Sequence, residues 1–231
     1  LEVQELERGF GSKTFNTRIE VLKGVNLSLK KGELVALMGP SGCGKSTLLN
    51  IIGGLLRADS GKIKLKSSET EYIYGKKKPS GVVDVRRNGV GWIFQDFHLL
   101  EQLTAKDNVA LALEIKGMKK EEADEKAIEA LVKVGLEDRI DFPAGQLSGG
   151  QQQRAGIARS LVNEPSFLLA DEPTGNLDTS TTAEILDLFE ELNGQGRTVV
   201  MVTHEEEVAN RARRIVRLRD GAIESDEVLR P

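Results

Sequence analysis

The strongest constraint on this chain lies at residues 34–52, where LVALM runs into GPSGCGKST and then LLNII. A short, wholly apolar run reads as a buried strand, and the apolar spacing after Thr47 reads as a helix. Between them, Gly39 to Thr47 fits G-x-x-x-x-G-K-[ST]. Backbone N–H groups of such a loop, with the helix N-terminus behind them, cradle a chain of phosphates. Gly39, Gly42 and Gly44 admit close approach. Lys45 is spaced to reach the β- and γ-phosphates, and Ser46 to ligate Mg²⁺. Pro40, Ser41, Cys43 and Thr47 complete the candidate set. A glycine-rich strand-to-helix turn with a chance lysine is the plain alternative, and the strand before and helix after argue against it. Cys43 has two readings: a small residue at a variable loop position, or a thiol activated by the helix N-terminus, whose alkylation bound nucleotide would block.

Upstream, VNLSLKKGELVALMG alternates at Val25, Leu27 and Leu29, then turns at Lys31–Gly32. That pattern predicts a hairpin entering the buried strand. GKIKLK, GVGWIFQ, FLLA at 167–170 and TVVMVT at 198–203 are further strands. The polar piece from Ser67 to Asn88 has weak signals, and GKKKPSG within it is expected to be an exposed loop. From Asp96 to about Pro165 the character is helical. Thr104 and Asp107 cap one helix, and Ala123, Ala127, Ala130, Leu131 and Val134 form the inner face of another. A later helix carries Ile185, Leu188, Phe189 and Leu192 on one stripe, and Asp220–Gly221 closes a hairpin. Strands alternating with helices predict an α/β fold with a mainly parallel sheet. An antiparallel β lobe is expected at the N-terminus and a helical lobe as an insertion. The expectation is a single domain over 1–231, with about 1–95 and 166–231 forming the β lobe and core, and about 96–165 the helical lobe.

Two further stretches carry chemistry. In SFLLADEPTGNLD, Asp171 ends an apolar strand, where an acid holds Mg²⁺ directly or through water, and Glu172 is placed to polarise an attacking water. Acidic residues after a strand also serve as plain caps; pairing with the glycine loop favours the catalytic reading. In QLSGGQQQR, Ser148 is an N-cap and Gln151 completes a capping box. Ala155, Ala158, Leu161 and Val162 continue the helix. Gly149 and Gly150 sit in its first turn, although each glycine in a helix costs about 1 kcal/mol relative to alanine. Something must approach that turn closely.

Composition narrows the field. The 231 residues are 39% hydrophobic and 29% charged, with a net charge of -4, which argues against a nucleic-acid coat. One cysteine excludes an internal disulfide and fits a reducing compartment. No apolar run approaches the roughly 20 residues that span a bilayer, and LEVQELERGF has no signal-peptide core.

Taken together, these residues resemble the ATP-binding cassette (ABC) ATPases over nearly the whole chain. GPSGCGKST looks like the Walker A motif, FLLADE like Walker B, and LSGGQ like the family signature. Gln95 in WIFQD resembles the Q-loop glutamine, Asp178 in GNLD the D-loop, and His204 in VTHE the switch histidine. The resemblance implies a P-loop NTPase core binding ATP and Mg²⁺, the metal on Ser46, Gln95 and Asp171. Lys45, Gln95, Glu172 and His204 would act in catalysis. It also implies an ATP-bound homodimer, paired head to tail, in which Ser148, Gly149, Gly150, Gln151 and Asp178 touch the partner's ATP. An aromatic residue stacks on adenine in the family, and Phe10 or Phe15 would do so here, Phe10 matching the end of the first strand better. His98 has no comparable context and is read as structural.

No long coiled coil separates the two Walker motifs, and the chain holds one cassette. Within the family the text resembles the lipoprotein-release and macrolide-export type, which works with a separate membrane permease. That places it in the cytoplasm, on the inner face of the membrane. A cell-division cassette and a soluble iron–sulfur assembly ATPase are the alternatives. Phe97, Leu99, Leu100 and Leu103 in DFHLLEQLTA either pack the helical lobe or line a groove for a permease helix.

Overall fold

The computed structural model describes residues 1–12, 15, 17–66, 71–75 and 81–230. Among these residues, ten strands form two sheets. β1 (Glu2–Phe10), β2 (Ile19–Ser28), β4 (Ser60–Lys66) and β5 (Glu71–Gly75) make an antiparallel sheet in the order β2-β1-β4-β5. The second sheet runs β10-β9-β3-β8-β7-β6, from β3 (Leu34–Met38), β6 (Val90–Phe94), β7 (Phe167–Asp171), β8 (Thr198–Val202), β9 (Arg214–Arg219) and β10 (Ala222–Val228). Its pairs are parallel except β9–β10.

The apolar run of β3 has a direct explanation. Leu34, Ala36 and Met38 enter a core shared with the helices that follow β6, while Val35 and Leu37 enter a second core against the antiparallel sheet. A strand buried on both faces shows no polar alternation. β7 and β8 split the same way: Leu168 and Ala170 face one core, and Phe167 and Leu169 the other.

This arrangement corrects the expected hairpin at Lys31–Gly32. β2 pairs with β1, whereas β3 lies between β8 and β9 of the other sheet. The turn is a crossover between sheets, pinned by Asn193 Nδ2 donating to Gly32 O at 2.8 Å. Two parallel neighbours occupy both edges of β3 and leave none for β2. In the weakly signalled stretch, β5 turns Tyr72 and Tyr74 inward, and a short helix α2 (Gly81–Asp84) leads into a π-helical turn, Val85–Gly89. Lys76 to Ser80 of the expected GKKKPSG loop lie outside the described residues.

α1 (Lys45–Ile52) follows β3 directly. Between β6 and β7 come α3 (Ala105–Glu114), α4 (Lys120–Lys133) and α5 (Gly149–Leu161). Thr104 caps α3 by accepting from Asp107 N at 3.0 Å. The inner face of α4 is buried at Ala123, Ala127, Ala130 and Leu131. α6 (Thr179–Gly194) buries Ile185, Leu188, Phe189 and Leu192, and α7 (Glu206–Ala209) precedes β9. Asp220 (φ +48°) and Gly221 (φ +85°) form the two-residue turn that left-handed residues favour between antiparallel strands. Among the described residues no helix is long and apolar enough to cross a membrane.

Candidate nucleotide site and signature turn

The carboxyl ends of parallel strands meet helix N-termini at one edge of the larger sheet, the ordinary place for a ligand in an open α/β sheet. A cleft of about 450 Å³ lies there, lined by Ser41, Gly42, Gly44, Lys45, Ser46, Thr47, Glu172 and His204. Gly39, at φ +146°, turns the chain out of β3, and a Cβ there would lie 2.1 Å from Leu218 O. Only glycine fits. Lys45 is buried, its Nζ donating to Gly39 O at 2.7 Å and Pro40 O at 3.0 Å. The same ammonium is thus positioned over the loop that would hold phosphates.

Ser46 Oγ donates to Asp171 Oδ1 at 2.9 Å, joining the start of α1 to the end of β7. Burial pushes the Asp171 carboxyl up, and the neighbouring Glu172 charge adds to this; the Ser46 hydroxyl and Lys45 oppose it. Glu172 has φ +46°, in the left-handed region that non-glycine residues rarely occupy. Its carboxylate Oε1 lies 3.3 Å from His204 Nδ1. His204 follows β8, so two adjacent parallel strands deliver the pair.

Other expected residues stand elsewhere. The Cys43 side chain is buried in the core beneath the loop and does not line the cleft, which removes the reactive-thiol reading. Gln95 does not line the cleft: its Nε2 donates to Asn176 Oδ1 at 3.2 Å, and Asn176 Nδ2 donates back to Gln95 O. Phe10 is partly exposed with the Arg8 guanidinium 4.7 Å over its ring, and Phe15 is exposed; neither lines the cleft. His98 is exposed rather than packed inside, at φ +49°. Of the four apolar residues after Gln95, Leu99 packs on the helical core, Phe97 and Leu103 are half-buried, and Leu100 is 50% exposed.

The signature turn is built as its residue pattern predicts. Ser148 Oγ accepts from Gln151 N at 3.3 Å, and Gln151 Oε1 accepts from Ser148 N at 3.0 Å. The two glycines differ in a way the sequence does not reveal. A Cβ on Gly150 would lie 2.4 Å from Thr181 Cγ2, in the first turn of α6. A Cβ on Gly149 would meet only ordinary contacts, at 3.5 Å and beyond. Asp178 caps α6, accepting from Ser180 Oγ, Thr181 N and Thr181 Oγ1. Those three bonds hold its carboxyl well below the usual carboxylate range.

Residue-by-residue reading missed three side chains that tie α5 to its surroundings. Arg154 joins Val134 O to Glu184. Arg159 donates to Phe97 O and His98 O, holding two left-handed residues in place. Gln153 is fully buried and donates to Pro173 O. The sequence signal for Gln153 is its helical spacing, four residues before the buried Ile157.

Residues 22–175 match the family model described as "ABC transporter". The chain belongs to the ABC transporter family. An uncharacterized ABC transporter ATP-binding protein of Bacillus subtilis (strain 168), YvrO, is 48% identical over 209 residues, covering 90% of this chain and 90% of that protein. A macrolide export ATP-binding/permease protein, MacB, of Bdellovibrio bacteriovorus is 46% identical over 216 residues, covering 93% of this chain but 32% of that protein. The cassette MJ0796, solved as a post-hydrolysis dimer bound to ADP and Pi, superposes with a TM-score of 0.86 at 40% identity, over 100% of this chain and 99% of that one. The cassette is therefore an ABC transporter ATPase that binds and hydrolyses ATP.

Proposed function

We propose that two copies of this cassette pair head to tail around two ATP molecules, and that the cycle drives export or release of a substrate through a separate membrane permease. One observation carries the pairing. None of Ser148, Gly149, Gly150 and Gln151 lines the chain's own phosphate cleft; Ser148, Gly150 and Gln151 face a separate cleft of about 470 Å³. The capping box takes up Ser148 N and Gln151 N, so the glycine N–H groups and the positive end of α5 suit an anion that this chain does not itself hold. A second copy supplies it, and Asp178 stands beside that contact. The dimeric form of MJ0796 supports the same reading.

Within each site the loop from Gly39 to Thr47 binds the phosphates, with Lys45 on the β- and γ-positions. Glu172 accepts a proton from the attacking water, and His204 contacts the γ-phosphate and orients Glu172. Gln95 joins them once its amide leaves Asn176. Ser46 and Asp171 fit Mg²⁺ and would hold it: they are two hard oxygen donors within hydrogen-bonding distance of each other. Bound there, the ion would supply positive charge against the phosphates.

The chain matches nearly all of YvrO, which favours a cassette separate from its permease, and about a third of MacB, which favours a permease of the macrolide-export kind. The cassette then works at the cytoplasmic face of the membrane. Solubilising native membranes gently with ATP and vanadate, and identifying what co-purifies, tests this. A permease with a large outer domain is expected; soluble partners alone would overturn the transport assignment to export or release.

Leu100 is the exposed apolar residue nearest the Q-loop and is assigned to permease docking. Leu100→Asp is expected to lower co-purification of the permease severalfold while leaving ATP affinity unchanged. Undiminished complex assembly would remove Leu100 from the docking surface.

A further inference from the structure

We propose that Gln153 is a positioning residue for Glu172, acting from the signature helix of the same chain. The inference rests on Glu172 being the base, as argued above. A non-glycine residue at φ +46° is strained and stays there only when its surroundings over-determine it. Three hydrogen bonds do so here. Glu172 N donates to Val202 O at 3.1 Å, and Gly175 N donates to Glu172 O at 3.1 Å. The third is Gln153 Nε2 to Pro173 O at 2.5 Å, on the carbonyl immediately after Glu172.

The first ties the turn to the end of β8, and the second closes the turn on itself. The third comes from α5, two residues beyond Gln151 and on the helix whose N-terminus is the signature turn. Gln153 is fully buried, and its Oε1 has no hydrogen-bond partner among the described residues. A buried amide that satisfies only one end is costly. Packing alone would be served better by leucine or methionine, so the bond to Pro173 accounts for the glutamine. Small movements of the α5 N-terminus are thereby transmitted to the catalytic turn. In a head-to-tail pair that N-terminus touches the partner's ATP, so Gln153 links one site's nucleotide to the other site's base.

Gln153→Met keeps the length and the packing but removes the donor. The expected result is a roughly 10- to 10²-fold fall in kcat, the scale of a misplacement near 1 Å. KM for ATP and the affinity of the monomer for ATP stay within about twofold, since the phosphate loop is untouched. Should this variant fail to fold, Gln153→Asn retains a buried amide one methylene too short and allows the same comparison.

The decisive measurement is the residual rate in a Glu172→Gln background. A residue acting through Glu172 has no further effect once Glu172 is gone, so Gln153→Met should leave that residual rate unchanged. An equal fold-loss in both backgrounds would show a general structural role and overturn the proposal. A Glu172→Gln enzyme with wild-type turnover would instead overturn the assignment of the base, which separates the two failures.

Discussion

Glu172→Gln is expected to lower ATP hydrolysis by roughly 10²-fold or more while ATP still binds. The carboxamide has the same shape, can accept a hydrogen bond where Oε1 lies 3.3 Å from His204 Nδ1, and cannot take a proton from water. Lys45, Ser46 and the loop between β3 and α1 do not contact the altered atoms among the hydrogen bonds of the site, so the phosphates are held as before. With binding intact and turnover blocked, the shared nucleotide is not consumed and the pair stays closed. Gel filtration with and without ATP, alongside phosphate release, checks both halves. Hydrolysis at the wild-type rate would remove Glu172 from its role.

Alanine at the two signature glycines should separate two causes that look alike in the sequence. Gly150→Ala places a Cβ 2.4 Å from Thr181 Cγ2, an overpacked contact that costs about 1–3 kcal/mol of monomer stability. Adding Thr181→Ser removes that methyl and keeps the hydroxyl that donates to Asp178 Oδ2 at 2.7 Å. The double variant should regain most of the lost Tm. Gly149→Ala meets no such contact and leaves the monomer at least as stable, since alanine is the better helix former. On the proposed pairing, which brings the bare backbone of this turn to the partner's phosphate, it should nonetheless weaken ATP-dependent dimerisation at least tenfold. If Gly149→Ala dimerises normally, the glycines serve packing within the chain and the phosphate explanation fails.

Much of this site is local and was legible before the fold. The loop from Gly39 to Thr47 announces itself through spacing, and its strand and helix are where the apolar periods place them. The capping box at Ser148 and Gln151, the cap at Thr104 and the turn at Asp220–Gly221 depend on residues within four positions of each other. Asp171 ends one apolar strand and His204 follows another, so parallel pairing brought them to one edge without further information. β5, with its two inward tyrosines, was not legible, because five residues among lysines and serines carry too short a period.

The chain's own residues thus determined the glycine-rich loop, the position of Glu172 after β7 and the cap at Ser148, since backbone conformation and hydrophobic period are set by near neighbours. Tertiary structure alone decided that β2 and β3 belong to different sheets, because both edges of β3 are taken by strands distant in sequence. It also decided that Cys43 points inward, that Gln95 rests on Asn176, that Gly150 makes room for Thr181, and that Gln153 reaches Pro173. Each of these is a contact between side chain and distant backbone or side chain. Close packing selects such partners by shape and by the need to satisfy buried polar groups, and neither is written in the spacing of residues along a strand or helix.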